Sequence, residues 1–326
     1  MRNMWAFPLY GVFVMLINWN PSSSEAMNMK TAKTFQDQLE ILRSRGMFID
    51  DKTEALEILK RVNYYRLTVY ALQFSNNNHY TSSISFTKMY KIYEFDEKLR
   101  SLLMSIIEIV EIRLKTYTAY YLAHKYGPLC YNDIAIYENP LLYSGSNKLV
   151  NGKEKHTNGL KDNIYYSLKS KQSELFVKHY SQTKHGVFPI WVIVEVFSFG
   201  MICKMYQNLF PYDRKQISSE CFNVHDKFLY NWLNTLNRLR NMCAHYSRIY
   251  NNTISPRPKV PNIYASYCID DVHVFSSILV LKTLISNSDA WESFKIDLTN
   301  LIKDYCTSID LKLIGFPDNW EEILNQ

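Results

Sequence analysis

The chain has 326 residues, 47% hydrophobic and 21% charged, with 37 Lys and Arg against 31 Asp and Glu for a net charge of +6. Its 25 Tyr, 17 Phe and 6 Trp supply more buriable surface than a disordered or fibrous chain carries, and 9 Gly with 10 Pro are too few for turn-rich sandwiches, propellers or Gly-rich nucleotide folds. The mild basic excess permits an anionic partner such as RNA without requiring one.

Met4–Asn18 is an apolar run, short of the roughly 20 residues that span a bilayer. The preferred reading is a translation start placed upstream of the real one at Met27 or Met29. A peripheral apolar segment and a signal peptide are the alternatives. No other stretch approaches a membrane span, so no membrane partner is expected. Six cysteines (Cys130, Cys203, Cys221, Cys243, Cys268 and Cys306) hold no CxxC pair, which argues against a zinc site or a disulfide framework and fits a reducing cytoplasm.

From Thr34 the pattern is helical. Thr34 caps a segment to Arg45 with Phe35, Leu39 and Leu42 in period, and Gly46 stops it. Asp50 or Asp51 caps a second helix carrying Ala55, Leu56, Leu59 and Val62. After the polar loop Ser75–Ser83, Phe86 opens the longest pattern, reaching Tyr126, with Leu99, Leu102, Leu103, Ile106, Ile107, Val110 and Leu114 as its buried stripe and Gly127-Pro128 as its end. Asn139–Asn163 reads as an exposed insertion; it carries Lys148, Lys153, Lys155 and Lys161. A short helix is expected over Ser173–Tyr180. Pro189 starts an apolar segment to about Gly200 whose Val and Ile content could suggest a strand, but whose length and continuation over Met201–Leu209 argue for a helix. Asp226, or Val224 beside it, begins a helix with Phe228, Leu229, Trp232, Leu233, Leu236 and Leu239 on its apolar face, running through His245. Helices over Ile269–Ile285, Ala290–Tyr305 and Asp318–Leu324 complete an all-α chain.

The informative stretch is Arg238-Leu239-Arg240-Asn241-Met242-Cys243-Ala244-His245. On a helix Asn241 and His245 are i,i+4 neighbours and Arg240 lies over Ala244, so Arg240, Asn241 and His245 can edge one groove while Met242 and Cys243 turn into packing. Metal-independent RNA cleavage needs a base for the 2′-hydroxyl, an acid for the 5′-oxygen, and positive charge on the phosphate. His titrates in the right range, Arg binds phosphate bidentately, and Asn can orient either. An Arg and a His on one helix also occur by chance, with no chemistry attached.

This segment resembles the RNxxxH motif of the HEPN ribonuclease superfamily. Its surroundings resemble the Abi-like (AbiD/AbiF) abortive-infection branch. The matching pieces are Phe35-Gln36-Asp37-Gln38, Asn63-Tyr64-Tyr65-Arg66-Leu67, Phe95-Asp96-Glu97-Lys98-Leu99-Arg100, Ile107-Glu108 with Glu111-Ile112-Arg113, Pro189-Ile190-Trp191 with Glu195, and Ser198-Phe199-Gly200. They run in the family's order from Thr34 to Asn252. The resemblance implies a HEPN-like helical bundle with added N- and C-terminal helices: an apolar extension over 1–29, the Abi-like domain over 30–255, and a helical extension over 256–326. It also implies phage defence by abortive infection or toxin–antitoxin action, metal-independent RNA cleavage with no cofactor, and a homodimer, because one motif per chain requires a second copy to complete the cleft.

Glu111 can pair with Lys115 or orient Arg240, with Glu108 as a second supporting carboxylate; both can equally be surface or structural charges. Glu195, in an apolar setting, calls for a structural partner. Arg238 and Arg248 flank the motif and can contact RNA phosphates, or simply be solvated. Tyr64, Tyr65 and Arg66 mix stacking and charge as RNA-binding surfaces do, although tyrosines at helical spacing usually belong to a core. The remaining histidines lack ligand spacing, so no metal is assigned. The alternative to an RNA-cleaving toxin is a catalytically silent protein whose groove holds a guide or antitoxin RNA.

Overall fold

Capping chemistry fixes the first helices. In α1 (Phe35–Ser44) the Thr34 hydroxyl accepts from the Asp37 N–H while the Asp37 carboxylate accepts from the Thr34 N–H, a reciprocal cap that satisfies two orphan donors. Gly46, at φ +90°, ends the turn beyond it. Asp51, rather than Asp50, caps α2 (Lys52–Arg61) by accepting from Thr53 and Glu54, and Asn63 caps α3 (Tyr64–Thr68). Two consecutive asparagines at positive φ, Asn77 and Asn78, turn the small ribbon β3 (Ser75–Asn76) and β4 (His79–Tyr80), the left-handed geometry Asn tolerates best after Gly.

The computed structural model describes residues 5–9, 12–16, 31–81, 84–150, 153–285 and 288–326, without the side chains of 5–9, 12–16, 148, 150 and 153. Within the N-terminal apolar run, β1 (Trp5–Leu9) pairs antiparallel with β2 (Val12–Leu16). Met27 and Met29 lie outside the described residues. The fold is all-α, with three two-stranded ribbons added. Contacts divide the chain into two units, Met1–Phe95 with Thr307–Ile309, and Asp96–Cys306 with Asp310–Gln326. The 41-residue α4 (Phe86–Tyr126) begins in the first and continues in the second.

In the first unit Leu39, Leu42, Ala55, Ile58, Leu59 and Leu67 are buried, one apolar face from each capped helix, with Tyr70 added from the 3₁₀ turn Val69–Phe74. In the second unit the stripe Leu99, Leu103, Ile107, Val110 and Leu114 of α4 is inaccessible to water. Gly127, at φ +91°, stops α4 as expected.

The span 139–163 is more structured than an exposed insertion. Asn139 caps α5 (Pro140–Ser144), whose Tyr143 is buried, and β5 (Ser146–Val150) pairs with β6 (Lys153–Thr157). There follow α6 (Leu160–Ser170) and α7 (Leu175–Thr183). The apolar segment after Pro189 is not one helix. A short α8 (Ile190–Ile193) passes into a 3₁₀ turn at Val194–Val196, Phe197 is extended, and the Ser198 hydroxyl caps a new helix, α9 (Phe199–Asn208). The break turns Glu195 outward: it is exposed, so it needs no buried partner. Pro211 at the first position starts α10 (Pro211–Phe222), and α11 (Asp226–Ala244) follows. The helix expected from Ile269 begins only at α12 (Val274–Ile285), because the Asp270 carboxylate accepts from Val272 N–H and engages His273 Nδ1 in a local turn. Then come α13 (Asp289–Tyr305) and α14 (Trp320–Asn325). α11 is the hub of the second unit, packing on α9, α10 and α12. Asp213 of α10, 1% exposed, accepts from the Tyr121 and Tyr126 hydroxyls and from Lys125 at the end of α4. No helix among the described residues is long and apolar enough to cross a membrane.

Four cysteines are buried and two, Cys268 and Cys306, are exposed. Burial pushes the thiols of Cys221 and Cys243 up to about 12 and that of Cys130 up to about 11. At pH 8 almost none of these buried groups is thiolate, the reactive form. An aromatic disulfide reagent at pH 8 should therefore titrate two thiols per folded chain at once, and the remainder only after urea unfolding. Rapid reaction of all six in the native state would contradict this packing.

Candidate active site

The apolar face of α11 carries Leu229, Trp232, Leu233, Leu236, Leu239, Met242 and Cys243, all buried. Each large side chain there contributes on the order of 1.5–3 kcal/mol of burial, which fixes the rotation of the helix. The opposite face is left to polar groups. The segment after Pro256 is fastened along the border between the two faces: Thr235 donates to the Pro256 carbonyl at 2.9 Å, Asn231 pairs with the backbone of Arg257 and Lys259, and the Trp232 indole N–H donates to the Lys259 carbonyl at 2.7 Å.

α11 ends inside the motif. Its last residue is Ala244, and His245 is the C-cap. Tyr246 N–H donates to the Cys243 carbonyl at 3.1 Å and Ser247 N–H to the Met242 carbonyl at 2.8 Å, the paired bonds of a Schellman closure. That closure needs a left-handed residue after the cap, and the residue is Tyr246, at φ +57°. A non-glycine side chain in that region costs roughly 1–3 kcal/mol, so the neighbouring structure must hold it.

The hold comes from Asp96. Its carboxylate, wholly buried, accepts from Ile249 N–H at 3.1 Å and Tyr250 N–H at 2.7 Å, and is paired with the buried Arg100 one helical turn on. Within the Phe95–Arg100 segment, Asp96, neutralised by Arg100, thus secures the backbone just past the RNxxxH residues. Neither pattern nor spacing signals this, because the partners are main-chain N–H groups.

Glu111 and Arg240 are brought together. Glu111 Oε1 lies 2.8 Å from Lys115 Nζ and Oε2 lies 4.0 Å from Arg240 Nε, with the carboxylate side chain 13% exposed and that of Arg240 32%. Glu111 therefore pairs with Lys115 and faces Arg240 at once. The guanidinium faces the carboxylate by charge alone, beyond hydrogen-bonding distance, and is partly exposed. Asn241 is half-buried and its Nδ2 has no hydrogen-bond partner, a buried donor that ordinarily demands one. His245 is exposed, and its ring makes no hydrogen bond among the described residues. Met242 and Cys243 are buried, as the spacing requires.

The other named residues are more scattered. Glu108 is exposed and forms no ion pair among the described residues; Arg238 and Arg248 are half-buried beside the motif. Tyr64, Tyr65 and Arg66 belong to the first unit. Tyr65 is 74% exposed and meets Tyr64 edge-on at 5.4 Å. The core expectation for these tyrosines fails at Tyr65, because Leu67 and Tyr70 occupy the inward face instead. Among the described residues no three His, Cys, Asp or Glu are placed to hold a metal.

Residues 57–251 match the family model described as Abi-like protein. The match covers more than half of the chain and includes Asp96, Glu111, Arg240, Asn241 and His245; the chain belongs to the Abi-like protein family. No curated protein and no solved structure matches it.

Asp96→Ala would leave a buried guanidinium and two backbone donors without their partner. Breaking such a pair costs about 3–5 kcal/mol, so the urea midpoint should fall steeply. Asp96→Asn, which can still accept from one N–H, should lie between. An Asp96→Ala chain as stable as wild type would refute the anchoring role.

Proposed function

We propose that the protein is a metal-independent endoribonuclease acting in abortive-infection or toxin–antitoxin defence. Membership of the Abi-like family supports the defence role. The observation that carries the chemistry is the end of α11: a permanently charged Arg240 braced by the Glu111 carboxylate at 4.0 Å, with the exposed imidazole of His245 at the helix cap. The RNxxxH pattern resembles the HEPN ribonucleases, and these are the group types the reaction needs.

In the proposed reaction one imidazole takes the proton of the 2′-hydroxyl, and the 2′-oxygen attacks phosphorus. The bond from phosphorus to the 5′-oxygen breaks as a second imidazole, protonated, delivers its proton to that oxygen. Arg240 neutralises the charge that gathers on the phosphate oxygens. Glu111 keeps the guanidinium aimed, and the unpartnered Asn241 Nδ2 is a donor for a phosphate oxygen. Two imidazoles require two chains, hence a twofold dimer. The outer face of α4 supports this, since Ile109 and Ile112, 37% and 54% exposed, lie one turn apart on the helix that carries Glu111.

Arg240→Ala and His245→Ala should each slow RNA cleavage by about 10²–10⁴ and relieve toxicity on expression. The wild type should leave a 2′,3′-cyclic phosphate and a 5′-hydroxyl, work in EDTA, and fail on RNA carrying 2′-O-methyl at the cut site. Cleavage of the methylated RNA, or loss of activity in EDTA, would reject the mechanism. Light scattering of the RNA-free protein should report about twice the 38.6 kDa chain mass; an active, strictly monomeric enzyme would reject the shared cleft.

A further inference from the structure

At the opposite end of α11 from His245, a cavity of about 510 Å³ is lined by Arg214, Lys215, Lys227, Tyr230 and Lys259. These come from α10, from α11 and from the segment fastened along α11, so the sequence disperses them. Lys215, Lys227 and Lys259 are exposed and form no ion pair among the described residues. Arg214 is built in more deeply. Its side chain is 13% exposed, one nitrogen, Nη1, is spent on Glu138 and on the carbonyls of Gln207 and Leu209, and its Nε is buried with no partner. The guanidinium sits 5.8 Å from the Tyr230 ring. The cavity's one carboxylate, Asp226, is itself buried and lies 2.9 Å from His225 Nδ1. Three ammonium groups without ion-pair partners among the described residues, a guanidinium shared with Glu138 and the positive end of a 19-residue helix thus share one concavity. Such a set of groups is complementary to phosphate.

Two features favour a strand over a single nucleotide. The cations come from three separate elements rather than from one loop, and the two rings of the lining are already engaged, Tyr230 by Arg214 and His225 by Asp226, which leaves no free pair of rings to clasp a base. The cavity also does not stand alone. Lys227, Tyr230, Asn234, Arg238, Asn241 and His245 follow one another at spacings of three and four on α11, all exposed or half-buried, which places them on one face of the helix. A polar track therefore joins the basic cavity to the catalytic end, over about 25 Å at about 1.5 Å per residue.

We infer that this cavity binds backbone phosphates of the same RNA strand whose scissile phosphate sits at Arg240 and His245, a holding site one helix length from the cut. The inference rests on the ribonuclease reading for its substrate, but its test does not. RNA of 12 nucleotides, fully 2′-O-methylated so that it cannot be cut, is titrated against the protein and followed by fluorescence anisotropy. The triple variant Lys215→Ala, Lys227→Ala, Lys259→Ala should bind it at least about 10-fold more weakly at low salt, with the slope of log affinity against log salt shallower by about 2. A control losing the same charge elsewhere, Lys178→Ala, Lys303→Ala, Lys312→Ala, should bind as wild type does. A 4-nucleotide RNA, too short to span the track, should lose the advantage of the 12-mer.

Wild-type affinity in the cavity variant, equal losses in the control, or no measurable binding by the wild type would each overturn the inference. Displacement of the 12-mer by micromolar ATP would overturn it in favour of a free nucleotide. Failure of the wild type to cut unmodified RNA would count against the ribonuclease reading and leave the binding result standing.

Discussion

Taking the Asp96 carboxylate out of water is tolerable only because each of its oxygens is used. Arg100 neutralises it, and the N–H groups of Ile249 and Tyr250 fill it. What this interaction secures is the backbone beyond the motif. With Met242 closed onto Ser247 by the helix termination and residues 249 and 250 held by Asp96, the exit from α11 is fixed at both ends. Tyr250 carries the constraint onward, since its hydroxyl accepts from Asp310 N–H at 2.7 Å and so ties the chain's last segment to the same point.

A second buried carboxylate, Asp213, works by the same physics at the far end of α4. Burial and the Asp213 carboxylate push the Tyr121 phenol well above its ordinary range. Burial works against the charge on Lys125, but its hydrogen bonds to Asp213, Tyr126 and Tyr121 prevail and raise its pKa. Between these two clamps, Glu111 faces Arg240 from a helix that cannot easily roll. The placement of the RNxxxH residues is therefore a product of buried electrostatics more than of contacts made by those residues themselves.

The sequence announces what local chemistry decides. The Thr34 and Asp51 caps, the Gly46 and Gly127 stops, and the apolar faces of α4 and α11 are all legible as residue types at fixed offsets, and with them the all-α fold. Arg240, Asn241 and His245 were legible as a motif, and Glu111 as a neighbour on another helix. Other features were not. The 3₁₀ break at Val194–Val196 hides in a run of apolar residues that suits a continuous helix equally well. The ribbon at 146–157 has no strong alternation. Asp96 stood in a segment noted for its resemblance, yet its role rests on main-chain donors about 150 positions away, which no pattern of side chains can encode. The lysines around the Arg214 cavity escaped for a related reason: three separate elements supply them.

The Schellman closure at Tyr246 also bears on how this stretch can vary over evolutionary time. From Met242 to Ser247 the backbone forms a closed ring of bonds, and the side chain that ends it adopts a left-handed conformation. One residue added or lost ahead of His245 would rotate the imidazole about 100° around the axis and move the left-handed position onto a different residue. Length is thus the stricter inheritance here: positions 242–244 can exchange side chains of similar bulk, but their number is locked by the geometry of a single turn.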